Sequence, residues 1–164
     1  MTEEPDQISI ASPLWEEGEA EFETHIVNII KSARSDLGLE PVKSTFSIIL
    51  ADDQMLTQLN RDFRGKDKPT NVLSFPSGFQ AVPGDEPSLG EIFISYETLV
   101  QEAESQHKSF IHHLQHMVLH GFLHLLGYDH EEDRDAEAME AIETRILAQL
   151  NIPNPYEEAY PAHA

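Results

Sequence analysis

At 164 residues with 40% hydrophobic content, the chain fits one globular domain with a sizeable core. It has no cysteine, which excludes a disulfide framework and thiolate metal ligands. A net charge of −20 argues against a protein that coats nucleic acid by its overall charge, no apolar run approaches a membrane span, and the acidic start has no signal-peptide core, so a cytoplasmic enzyme is the simplest expectation.

In residues 7–12, Ile8 and Ile10 alternate with polar neighbours, which predicts a short strand ended by Pro13. From about residue 17 to 37, Phe22, Ile26, Ile29, Ile30 and Ala33 recur with the helical period, and Gly38 closes that helix. Residues 44–51, rich in β-branched and aromatic side chains, predict a second strand. Asp52 or Asp53 then caps a helix to about Phe63, with Met55, Leu56 and Leu59 inward. A loop over 64–70 leads to a third strand over 71–75, terminated by Pro76. Residues 77–88, broken by Gly78, Pro83, Gly84 and Pro87, read as a mobile surface loop. A fourth strand follows over 89–94, and Ser95 caps a helix with Leu99, Val100 and Ala103 apolar. After a break near Lys108 and Ser109 comes a histidine-bearing helix. A last helix spans about 132–150, with Ala136, Met139, Ile142, Ile146 and Leu150 facing the core. Pro153 and Pro155 end it and leave a frayed tail. The sum is a single α+β domain, a four-stranded mixed sheet packed with about five helices, in which the histidine helix is central and zincin-like.

On that helix Phe110, Leu114, Met117, Val118, Phe122 and Leu125 form an apolar stripe. His112, His116, His120 and His124 recur every four residues on another, about 6 Å apart along the axis. The imidazoles of His120 and His124 can therefore reach one ion at about 2.0–2.1 Å. Gly127 suits a sharp turn with positive φ that would bring back His130 as a third ligand. The spacing H-x-x-x-H-x-x-G-x-x-H matches that of the metzincin zinc proteases, except that Gly121 stands where they carry their general-base glutamate. Three such ligands with an open fourth position are the pattern of a catalytic zinc site, although imidazoles also suit nickel, copper or iron. His116 reads as an outer partner of a ligand or as an acid/base facing substrate. His112 and His113 read as solvated, and Asp129 as a turn residue or an orienting group. Arg61, Arg64, Lys66 and Lys68 crowd into eight residues, either a solvated loop of mixed charge or a basic patch on an acidic body.

Three stretches together resemble one family. The run from His120-Gly121-Phe122-Leu123-His124 through Gly127-Tyr128-Asp129-His130 is similar to the signature of the YbeY family of metal-dependent endoribonucleases, the rRNA maturation factors. Arg64-Gly65-Lys66-Asp67-Lys68-Pro69-Thr70-Asn71-Val72-Leu73-Ser74-Phe75-Pro76 resembles a second hallmark. Leu89-Gly90-Glu91-Ile92-Phe93-Ile94 resembles a third, in which the family more often has Asp at the place of Glu91. The resemblance implies one YbeY-like metallo-endoribonuclease domain over residues 1–164, with one Zn2+ per chain on His120, His124 and His130. It also implies a functional arginine at Arg64 and a histidine near the site at His116. It implies single-strand-specific RNA cleavage in 16S rRNA 3′-end maturation and late-stage ribosome quality control in the bacterial cytoplasm. The implied partners are single-stranded and ribosomal RNA, the small ribosomal subunit and its assembly factors, with no membrane and no DNA. The residues fit beside this: a guanidinium fork at Arg64 matches a phosphate, and Lys66 and Lys68 would track the backbone. Attack by water and attack by the RNA 2′-hydroxyl are both open. The rival readings are a ribosome assembly factor that binds without cutting, with zinc in a structural role, and a zinc protease, which Gly121 disfavours.

Overall fold

The computed structural model describes residues 7–40, 44–77, 88–129 and 131–156. Short runs of alternating side chains form four strands, β1 (Gln7–Ile10), β2 (Ser47–Ala51), β3 (Val72–Pro76) and β4 (Gly90–Ser95), in the order β1-β2-β4-β3. β2 runs parallel to both β1 and β4, and β3 lies antiparallel along the outer edge of β4. The register pairs Ile48 with Ile92, Leu50 with Ile94, and Leu73 with Phe93. Successive side chains point to opposite faces. Ile48, Leu50, Ile92 and Ile94 therefore enter the main core, whereas Ile49, Ala51, Leu73 and Phe93 form a smaller cluster around Leu56 on the other face.

Five α-helices are present among the described residues: α1 (Glu19–Leu37), α2 (Asp53–Arg64), α3 (Tyr96–Ser105), α4 (Phe110–Leu125) and α5 (Asp133–Gln149). The Asp52 carboxylate caps α2 by accepting from the Met55 N–H at 3.0 Å, and Ser109 Oγ caps α4 by accepting from His112 N–H at 3.2 Å. α2 covers the small cluster. α4 lies on β3 and β4 at the opposite face and is enclosed by α1, α3 and α5, so its Leu114, Val118, Leu119, Phe122 and Leu123 are fully buried. This is the expected mixed four-stranded sheet with a central histidine helix. No helix among the described residues is long and apolar enough to cross a membrane.

Three local expectations change. Residues 13–18 form a 3-10 turn ahead of α1, with Pro13 in its first turn and Ser12 Oγ accepting from Leu14 N–H. The turn buries Trp15, whose indole donates to the Ala51 carbonyl at 2.7 Å. Ser95 stands at the N-cap of α3 but does not cap it, because its hydroxyl donates to Asp53 Oδ1 instead. The segment after α5 is not frayed through residue 156, since Ile152 is buried and Tyr156 returns to the core polar network. The loop expected to be mobile lies, over residues 78–87, outside the described residues, as do residues 1–6 and 157–164.

Candidate metal centre and its cleft

The placement of α4 explains its histidines. A side chain at Gly121 would set its Cβ 2.9 Å from Ile92 Cγ2 and 3.1 Å from Ser74 Oγ. Real Cβ atoms do not approach so closely, so this edge of the helix packs directly on the sheet, and Ser74 Oγ donates to the Gly121 carbonyl at 3.3 Å. A glutamate at the protease's position has no room here. His120 precedes Gly121 by about 100° of helical rotation and faces away from that contact. α4 stops after Leu125, and Gly127 adopts φ 106° as the chain turns, with the Tyr128 N–H donating to the Leu123 carbonyl at 3.0 Å. His130 lies outside the described residues.

The Nε2 atoms of His120 and His124 face each other at 3.1 Å. Two ligands of one tetrahedral zinc stand roughly 3.4 Å apart, so the pair suits a shared cation. Both rings open on a cleft of about 540 Å³. Val72, Ser74 and Pro76 of the edge strand β3 form one wall, and Arg64, Asn71 and Asp129 complete it. Arg64 is the last residue of α2, and the loop beyond it is held from below. Asn60, only 3% exposed, donates through Nδ2 to the Lys68 carbonyl at 2.9 Å, and its carbonyl accepts from Lys66 N–H at 3.2 Å. Lys66 and Lys68 are exposed and do not line the cleft. Arg61 lies 3.6 Å from both Asp62 and Asp67. Of the basic cluster, Arg64 alone reaches the cleft wall among the described residues.

Behind His120 is a carboxylate that the sequence reading did not single out. Glu143, 0% exposed, sets Oε2 2.7 Å from His120 Nδ1. Its Oε1 accepts from the Tyr156 hydroxyl, and His116 Nε2 lies 3.3 Å from that oxygen and 3.1 Å from the Tyr156 oxygen. Burial pushes the Glu143 carboxyl up, but the hydrogen bonds from His116 and His120 and their nearby charges outweigh it and hold it at about 2. Burial lowers the His116 imidazole, against the pull of Glu143. Burial and then the Glu143 charge raise the Tyr156 phenol well above its usual value. An ionised Glu143 takes the Nδ1 proton of His120 as a hydrogen bond, which leaves the lone pair on Nε2, facing His124.

His116, His120 and Glu143 each offer a ligand atom within 4.8 Å of the others, and this group could hold a metal ion. His120 thus belongs to two arrangements, through Nδ1 with Glu143 and through Nε2 with His124. Hydrogen bonds already satisfy the first, so the second is the better seat for a cation. His116 stands one turn back from His120 and does not line the cleft of Arg64, His120 and His124. The solvated reading of His113 is overturned: it is 3% exposed, with Nε2 2.8 Å from Glu102 Oε1, because α3 packs over that side of α4. Glu143 did leave a signal, as an acid four residues after Met139 and three before Ile146 on an apolar stripe. Tyr156, after two prolines, left none.

Known proteins resemble this chain over most of its length. Residues 11–151 match the family model described as Endoribonuclease YbeY. A protein of that name from Rhodopseudomonas palustris is 45% identical over 153 residues, covering 92% of this chain and 88% of its own length. Another, from Bradyrhizobium diazoefficiens, is 43% identical over 161 residues, covering 96% of this chain and 87% of its own. The solution structure of TM1509 from Thermotoga maritima superposes with a TM-score of 0.53 at 25% identity, over 95% of this chain and 98% of that one. The matched span takes in Arg64, both facing histidines and Glu143, and on that breadth of agreement the chain belongs to the Endoribonuclease YbeY family.

Proposed function

We propose that the protein is a zinc-dependent endoribonuclease that cuts single-stranded RNA. Its substrate in this reading is the 3′ end of 16S rRNA, and it also serves late-stage ribosome quality control. It works in the cytoplasm with the small ribosomal subunit and its assembly factors, and the whole chain acts as one domain. The observation that carries the proposal is the pair of imidazole nitrogens 3.1 Å apart on the same cleft as Arg64.

His120, His124 and His130 hold the ion, one per chain, and their neutral nitrogen donors suit zinc. When bound, zinc supplies Lewis acidity to a phosphate oxygen. The Arg64 guanidinium binds the scissile phosphate through paired N–H groups and opposes the negative charge that develops on it. Lys66 and Lys68, exposed beside the cleft, attract the flanking backbone. Glu143 orients His120. His116, bonded to Glu143 rather than open to the cleft, acts as a positioning residue through that carboxylate. The acidic remainder of the surface repels RNA and confines it to the cleft.

End-mapping of ribosomal RNA with Arg64→Glu and His120→Ala variants tests the reading. Both are expected to leave the 3′ end unprocessed while remaining folded, and only His120→Ala is expected to lose the metal. Full processing by a folded, metal-free His120→Ala protein would establish the assembly-factor reading in which the chain binds without cutting. Peptide cleavage that depends on His120 and His124 would restore the protease. A 2′,3′-cyclic phosphate on the product would assign the attack to the RNA 2′-hydroxyl.

A further inference from the structure

On the other side of His120 lies a second hollow of about 420 Å³, within the range of about 300–1,000 Å³ usual for small-molecule sites. It shares Asn71, Val72 and His120 with the cleft, so the two hollows meet at the ring that both touch. Two of its features have no role in holding a metal. Lys108, in the link between α3 and α4, lines it half-buried, and its ammonium has no hydrogen-bond or ion-pair partner among the described residues. The only acid in the wall among the described residues is Glu102, whose carboxylate already accepts from His113 and Asn71. Finally, Tyr156 is 42% exposed although its hydroxyl is engaged inward and its ring meets His116 edge to face, so part of the residue stands open at the rim.

Each feature asks for a different part of one ligand. A partly desolvated ammonium, drawn among the described wall residues only to a Glu102 carboxylate that His113 and Asn71 already hold, has room for a further anion. A partly open aromatic ring beside Val72, Met117 and Pro155 asks for a flat apolar face. A bare phosphate meets only the first demand. A nucleotide meets both, with its phosphate and its base.

We infer that this hollow is a subsite for one unpaired nucleotide of the RNA strand next to the scissile phosphate, with its phosphate on Lys108 and its base on the Tyr156 ring. This rests on the RNA-cleaving reading above and adds to it a second contact point on the strand. Lysine–phosphate contacts and stacking read no sequence, so the subsite selects for an unpaired strand rather than for a base.

The test is binding of a short, fluorescently labelled, cleavage-resistant phosphorothioate RNA to the metal-loaded full chain over a range of salt concentrations. Lys108→Met is expected to lower the slope of log affinity against log salt by about 0.7, the value of one single-strand phosphate contact, with metal content unchanged. Tyr156→Phe keeps the ring and is expected to keep its affinity, whereas Tyr156→Leu falls below it by at least about five-fold. Comparing those two variants isolates the ring from the lost hydroxyl. An unchanged salt slope in Lys108→Met, when Arg64→Met lowers it, overturns the subsite and leaves the RNA reading standing. Equal affinities for the Phe and Leu variants overturn the stacking contact. If the unaltered chain fails to bind the RNA at all, the RNA reading and the subsite fall together.

Discussion

The two ring nitrogens of His120 sit in opposite surroundings. On the Nδ1 side, Glu143 is wholly buried, and His120, His116 and Tyr156 surround both of its oxygens with hydrogen-bonding atoms. On the Nε2 side the neighbour is another imidazole nitrogen at 3.1 Å, and beyond it lies an open cleft with the exposed Arg64. A buried charge is tolerated where its partners are complete, and it then fixes what it touches. A reacting centre also needs room for a substrate. The ring divides these demands: its inner edge holds orientation and proton, and its outer edge stays available. Closing both edges would shut out a phosphate, and opening both would leave the tautomer unfixed.

The largest break in this contrast is expected from Gly121→Glu. The comparison requires that α4 turn its histidine edge to the cleft and its glycine edge to the sheet. A glutamate there drives Cβ into Ile92 and Ser74 and buries an unpaired charge. Urea unfolding should show a loss of about 3 kcal/mol or more. A variant as stable as the parent would mean that this edge of the helix is free, and the division between the two sides would be wrong. Next is Glu143→Gln, which keeps the shape but removes the charge and turns an amide N–H toward one of the donors. Zinc affinity, measured by competition with a chelator, should weaken roughly 10- to 100-fold. Arg64→Met, on the open side only, should leave zinc affinity unchanged. Equal zinc affinities for the parent and Glu143→Gln would show that the inner side contributes nothing to the outer.

The open side was legible in the sequence and the closed side was not, for a physical reason. His120, His124 and Gly127 lie within one helix and its turn, where a period of 3.6 converts spacing directly into geometry. The same local rules found Gly38, a cap at Asp52 or Asp53 and the alternating strands, because each depends on residues a few positions apart. The contacts of Glu143 with His116 and His120 bridge 27 and 23 residues, and only the packing of α5 on α4 brings them together. The acid on the apolar stripe of α5 was a readable anomaly. Its partners were not readable, and neither was the sheet order that inserts β4 between β2 and β3. His113 was misread because a polar residue near a helix start looks solvated until a neighbouring helix, here α3, covers it.

A finer probe of the closed side is Tyr156→Phe. It removes one of the donors to Glu143 Oε1 but leaves His116 beside that oxygen and His120 on the other. The expected stability loss is about 1 kcal/mol, with zinc affinity lowered less than in Glu143→Gln. A larger fall in zinc affinity than in Glu143→Gln would make the tyrosine, rather than the carboxylate, the group that sets the ring.

The smallest expected effect lies at the border of the closed side, where Glu102 meets His113. Burial raises the Glu102 carboxyl, but hydrogen bonds from His113 and Asn71, with the charges of His113 and Lys108, bring it below its ordinary 4.5. A carboxyl lowered on folding stabilises the fold above its unfolded value, and that contribution is lost as the pH falls through the lowered one. Glu102→Gln should therefore be less stable than the parent at pH ~7, by under about 1 kcal/mol because the group is partly solvated, and the gap should close in strong acid. Urea unfolding of both proteins at the two pH extremes measures it. A gap of the same size in acid would mean that Glu102 serves by shape and not by charge, so that ionised partners stabilise the closed side only at Glu143.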